Sequence, residues 1–289
     1  MVDQENYKIL LSHVYNMIFL MIIILIISSI AYFKGFCKLD KKIKIPVTFF
    51  QMITGFFLYI LISIGLAPII AKYLNLLNEN ARFTDLNILS FFINLFTFLS
   101  LMFFGIKIKR ETFKSIIKVK YKNSKSIKYD IIIGILSWII IFPIVIFTTE
   151  LLEMLLLVFF NIVETPDQLA VKYLKMALSS PVNLIIAITS ISIFAPIIEE
   201  FLFRGLLQNY LNRFFKRAYA IIITSLAFTF FHFALSQGLG NITIIGSIFV
   251  LSLFLGYIYE KQKSLYASIF LHFTFNSINI INLIFFKGV

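Results

Sequence analysis

Four polar residues between positions 199 and 276 could together carry out hydrolysis by an activated water: Glu199, His232, His272 and Asn276. A carboxylate beside a neutral imidazole polarises water, and imidazole and carboxamide N–H groups stabilise the oxyanion of a tetrahedral intermediate. Glu199 opens the run Glu199-Glu200-Phe201-Leu202-Phe203-Arg204. Glu200 and Arg204 are four apart with the acid first, the order that favours an intrahelical ion pair. Neighbouring helical residues point about 100° apart, so Glu199 projects elsewhere and is the free carboxylate. Phe228 and His232 share a helix face, as do His272 and Asn276, and the Phe228 ring offers an apolar wall that orients an imidazole.

Plainer readings stand beside this one. A single histidine on an apolar face is commonly a hydrogen-bonded structural group, and an intramembrane asparagine can simply join two helices. Two histidines and a glutamate are also an acceptable catalytic zinc set, here Glu199, His232 and His272, although no HExxH helix is present. The metal-free arrangement is favoured, with no cofactor, and a divalent metal such as zinc is the alternative. The single cysteine, Cys37, excludes an intrachain disulfide and is expected to be inert.

The elements that must hold these groups are membrane helices. Hydrophobic residues make up 60% of the 289 residues and charged ones only 14%, more apolar surface than a soluble core of this size could hide. Apolar runs long enough to cross ~30 Å of hydrocarbon recur from Tyr15 to Phe286. The expected fold is all-α and polytopic, with about eight transmembrane helices near 12–33, 46–72, 86–106, 131–155, 182–207, 218–235, 242–259 and 265–286. The first run is too long for a signal-peptide core and ends in Lys34, so it is read as a span. Ionisable groups inside a bilayer are costly and therefore suggest function, and those in this chain concentrate between residues 199 and 276. His13, Glu150 and Glu153 are read as interfacial.

The net charge of +12 does not form a basic patch with interleaved aromatics, so no nucleic-acid partner is expected. Loops 34–45, 107–130, 201–217 and 260–264 hold 20 of the 26 Lys and Arg residues, which assigns them to the cytoplasmic side and both termini to the outer side. The basic loop after Lys107 is suited to anionic headgroups. Residues 208–217 mix aromatics with cations at headgroup level, so the fifth span should bend or end there. Pro143 is expected to kink the fourth span, and 236–241 reads as an outer turn. From these ends Glu199 and His272 lie roughly 10–12 Å deep, and His232 roughly 20 Å along its helix. Frequent Ile, Phe, Asn and Lys fit an AT-rich bacterial genome and hence a bacterial cytoplasmic membrane.

The ordered set Glu199-Glu200-xxx-Arg204, Phe228-xxx-His232 and His272-xxx-Asn276 resembles the CPBP intramembrane protease family, which includes type II CAAX prenyl proteases and proteins linked to bacteriocin self-immunity. The resemblance spans roughly 182–280, about a third of the chain. It implies that Glu199 and His232 activate the attacking water, that His272 and Asn276 support the oxyanion, and that Glu200, Arg204 and Phe228 organise the site. It also implies a division into an N-terminal region of four spans, 1–160, and a CPBP-like domain of four helices, 182–286. The expected activity is endopeptidase cleavage of a membrane-associated peptide or protein. A noncatalytic membrane regulator or bacteriocin immunity protein and a proton-coupled transporter are the alternatives. Substrate identity and oligomeric state are not written in the sequence.

Overall fold

The computed structural model describes residues 4–39, 42–78, 81–120 and 125–285. Among them run ten helices: α1 (Gln4–Phe33), α2 (Phe49–Tyr73), α3 (Phe83–Lys107), α4 (Arg110–Ile117), α5 (Ile127–Phe160), α6 (Leu169–Ala177), α7 (Pro181–Leu211), α8 (Arg217–Phe230), α9 (Gly240–Gln262) and α10 (Leu265–Phe285). Seven of these are long and apolar enough to cross a membrane, and α8, with 14 residues, is apolar but shorter. The protein is an all-α, multi-pass membrane protein. Phe286 and Lys287, together with Lys41 and Lys122 of the basic loops, lie outside the described residues.

The sixth span, expected over 218–235, stops at Phe230, and His232 sits in the turn that follows. Two local causes are visible. The backbone N–H groups of Phe231, His232 and Phe233 fold back to the carbonyls three residues earlier, tightening the last turn. Beyond them, Asn241 brackets Ala234, its Oδ1 accepting from the Ala234 N–H at 3.1 Å and its Nδ2 donating to the Ala234 carbonyl at 2.7 Å, which closes the outer turn. Two short helices arise where loops were expected. Amphipathic α4 buries Thr112 and Ile116, and α6 packs Leu174 and Ala177 against Ile280 and Leu283 of α10. The fourth span, α5, continues through Pro143 to Phe160.

The basic loops gather at one end of the bundle. Lys42 and Lys44 donate to the carbonyls of Phe215 and Arg213, Arg213 donates to the Val47 carbonyl, Lys261 reaches the Lys38 carbonyl, and Val119 bonds to Lys263. At the other end Asn6 bonds to Asn161, and His13 and Asn16 both bond to Glu150, so α1 is pinned to α5 by a polar seam along one face. The loop sorting by charge is reproduced by these contacts, except that Arg204, counted with loop 201–217, is buried within α7, which runs to Leu211. His13 and Glu150 pair with each other, at the end opposite the basic loops.

Helix α7 lies at the centre and is not uniform. Its α-helical turns are interrupted by two π-helical stretches, Ser190–Phe194 and Phe201–Gln208, on either side of Glu199 and Glu200. Widened turns of this kind occur frequently at functional sites because they redirect side chains. A buried polar ladder locks α7 to α9. Arg204 bonds to Ser252, Gln208 to the Gly256 carbonyl and Asn212 to Glu260, three rungs at four-residue spacing on both strands of the contact. Neither helix can slide past the other without breaking all three. Close approach also matters at Gly134 of α5, where a Cβ would fall 2.5 Å from the Ala267 carbonyl oxygen of α10.

Candidate active site

Glu200 is fully buried and is the hub of the site. Its Oε1 accepts from Arg204 Nη1 at 2.9 Å, the intrahelical pair expected from spacing, and lies 3.0 Å from His272 Nδ1 on α10. Because a carboxylate only accepts, His272 Nδ1 must carry hydrogen, which leaves Nε2 directed to the other side of the ring. There it stands 3.8 Å from Glu199 Oε2. That oxygen has no hydrogen-bond partner within the protein among the described residues. Glu199 is thus the unpaired carboxylate, facing an imidazole across a gap too wide for a direct hydrogen bond and suited to a bridging water.

Arg204 is held through both terminal nitrogens, while its Nε has no hydrogen-bond partner among the described residues. Its Nη2 donates to the Ser252 carbonyl at 3.0 Å and to the Ser252 hydroxyl at 2.7 Å, and its guanidinium carbon lies 4.6 Å from the Phe228 ring centre. Phe228 is the wall of the site. Its ring contacts His232 at 4.8 Å and His272 at 6.0 Å between centroids, and Phe203 supports it from behind at 5.0 Å. His232 therefore lies beside the same ring as His272, although it stands past the end of α8. The tightened turn leaves the Phe228 carbonyl within 3.0 Å of His232 Nδ1. A backbone oxygen can only accept, so Nδ1 is the donor and a neutral His232 presents Nε2 as a lone pair.

Asn276 is positioned by a proline. At Ser190 the π-helical register carries the bond from the Ala195 N–H to the Ser190 carbonyl, five residues back. The same register would pair Ile191 with Pro196, which has no N–H, so the Ile191 carbonyl is left over. Asn276 Nδ2 donates to it at 2.9 Å. An unsatisfied carbonyl costs several kcal/mol in hydrocarbon, so this bond fixes α10 on α7. One amide hydrogen of Asn276 is used, and the second remains for another acceptor.

Sequence reasoning missed Ser252, the Ile191 carbonyl and the bond between Glu200 and His272. Pro196 inside an apolar run was the available signal for the second. The first and third arise from pairing between distant helices and have no local signature.

Among the described residues no three His, Cys, Asp or Glu side chains group as metal ligands. Glu200 behind His272 Nδ1 would orient the imidazole toward a bridging water or toward a metal alike, and His272 Nε2 stands 3.8 Å from Glu199 Oε2.

Residues 181–278, which contain all of these groups, match the family model of the type II CAAX prenyl endopeptidases, Rce1-like. This segment is an Rce1-like domain, consistent with the CPBP intramembrane protease family. The Rce1-like match begins at the first residue of α7 and ends two residues after Asn276. The match fits protease chemistry in a membrane-embedded protein. No curated protein and no solved structure matches the chain.

Proposed function

We propose that the protein is a metal-independent intramembrane endopeptidase that hydrolyses a peptide bond of a membrane-associated peptide or protein, working in a bacterial cytoplasmic membrane with its site opening toward the cytosol. The observation that carries this reading is the unpaired Glu199 carboxylate facing His272 across 3.8 Å, with His272 locked from behind by Glu200.

Glu199 takes a proton from the attacking water, and His232 Nε2 accepts the water's other hydrogen and aims its lone pair at the scissile carbonyl. The oxyanion that forms is met by the second amide hydrogen of Asn276 and by His272 Nε2–H. His272 donates from Nε2 when it is an imidazolium. That form also balances the buried charges, since two carboxylates face one guanidinium and one imidazolium. Glu200 then has the orienting role that an acidic residue plays behind a catalytic histidine. As the intermediate collapses, protonated Glu199 returns its proton to the leaving amine, so hydrogen and charge balance over the cycle. Arg204 and Phe228 are positioning residues, because they act through Glu200 and the two imidazoles.

The test is a comparison of new peptide termini in membranes of cells expressing wild-type protein or Glu199→Gln at matched abundance. Termini that appear only with wild type support hydrolysis and name the substrate. Identical termini together with full biological function in both strains would favour the noncatalytic regulator or immunity protein.

A further inference from the structure

Hydrolysis of a peptide bond within a membrane segment requires the bond to leave its helix, and unwound backbone in hydrocarbon must find hydrogen-bond partners. A cavity of about 340 Å³ lies between α2 and α3, with Tyr59 at one end. The Tyr59 ring is tilted against that of Phe231, 6.2 Å away and next to His232, and Tyr59 is close enough to interact electrostatically with Glu199. The cavity therefore adjoins the water-activating side of the site through a single side chain.

Its walls are unusual for lipid-facing helices. Ser63, Ser90 and Asn94 line it among apolar residues. Asn94 makes no hydrogen bond within the protein among the described residues. Ser63 sits in a third π-helical stretch, Leu61–Leu66, so α2 is distorted at the level of the cavity. Chemistry restricts the occupant. The backbone groups of a helix are already paired with one another, so only an unwound segment has N–H and C=O groups free for Asn94. An acyl or isoprenoid chain would fit by volume but would leave the Asn94 amide without a partner, whereas an extended peptide supplies both N–H and C=O groups to it.

We infer that this cavity is the subsite that receives the unwound peptide segment of the substrate next to the scissile bond, with Asn94 hydrogen-bonding its backbone and Tyr59 standing between it and Glu199. The inference rests on the endopeptidase reading. Occupancy is tested without turnover by placing the photoreactive residue p-benzoylphenylalanine at Leu89, which lines the cavity, in the full Glu199→Gln chain and irradiating native membranes. A peptide adduct is the expected result, and adducts to lipid alone would overturn the inference whatever Glu199→Gln does to cleavage. In the active chain, Asn94→Leu should lower product yield about five- to ten-fold, the loss of one hydrogen bond, and Asn94→Gln should restore most of it. Ala67→Phe, which fills the cavity, should also lower it. Cleavage that depends on Glu199 but is unchanged by Asn94→Leu and Ala67→Phe would remove this subsite and leave the endopeptidase standing.

Discussion

Arg204 offers the sharpest energetic consequence of the site. It is fully buried, it neutralises Glu200 at 2.9 Å, it donates twice to Ser252 and it stacks on Phe228. Arg204→Met keeps much of the volume but leaves Glu200 buried without its countercharge, a change worth about 3–5 kcal/mol. Adding Glu200→Gln removes the second charge as well. The double variant then loses mainly the bonds to Ser252 and the charge on the His272 partner, about 1–2 kcal/mol in all. The double variant should therefore be about 2–3 kcal/mol more stable than Arg204→Met alone, so that the two single costs do not add. Equilibrium unfolding of the purified variants in mixed micelles measures this cycle. Single costs that add to within about 0.5 kcal/mol would refute the buried pair as the organiser of the site.

Gly134→Ala places a Cβ 2.5 Å from the Ala267 carbonyl, so α10 must shift; stability should fall by about 1–3 kcal/mol in the same unfolding assay, with product yield falling alongside. Asn276→Leu strands the Ile191 carbonyl and removes an oxyanion donor, so both stability, by about 1–3 kcal/mol, and cleavage should drop, whereas an unchanged melting curve would contradict the proline-freed carbonyl. Cys37 is exposed beside Lys38 at the basic end, so a membrane-impermeant maleimide should label it only after the cells are permeabilised; labelling of intact cells would invert the topology. Chelators such as 1,10-phenanthroline should leave cleavage unchanged, and a loss reversed by added zinc would reinstate the metal reading.

What could be read from the sequence was local. The Glu200–Arg204 pair followed from four-residue spacing within one helix, and the contact of Phe228 with His232 from the same interval. The polar ladder was half legible, since Arg204, Gln208 and Asn212 recur at four-residue spacing, as do Ser252, Gly256 and Glu260, but nothing local says that the two series meet. The link from Glu200 to His272 was hidden for the same reason. Arg204 does not exhaust the Glu200 carboxylate, and its remaining capacity is visible only once α10 is docked. The early end of α8 was missed because Phe231-His232-Phe233-Ala234 is as apolar as the helix before it, and the stop comes from Asn241 reaching back across the turn. The widened turns of α7 have no periodic signature, although Pro196 shows where one backbone donor is missing.

Changes in cells could also arise from a second protease that this protein controls, so the most direct measurement uses the purified chain alone. Wild-type protein and Glu199→Gln are reconstituted in liposomes with the membrane protein identified by terminus mapping, and cleavage is followed over time. Cleavage by the wild type at the mapped bond, reduced by at least about 100-fold in Glu199→Gln at equal folding, is the expected result. Equal cleavage by both, or none by either while cells still require the protein for cleavage, would contradict Glu199-activated hydrolysis by this chain.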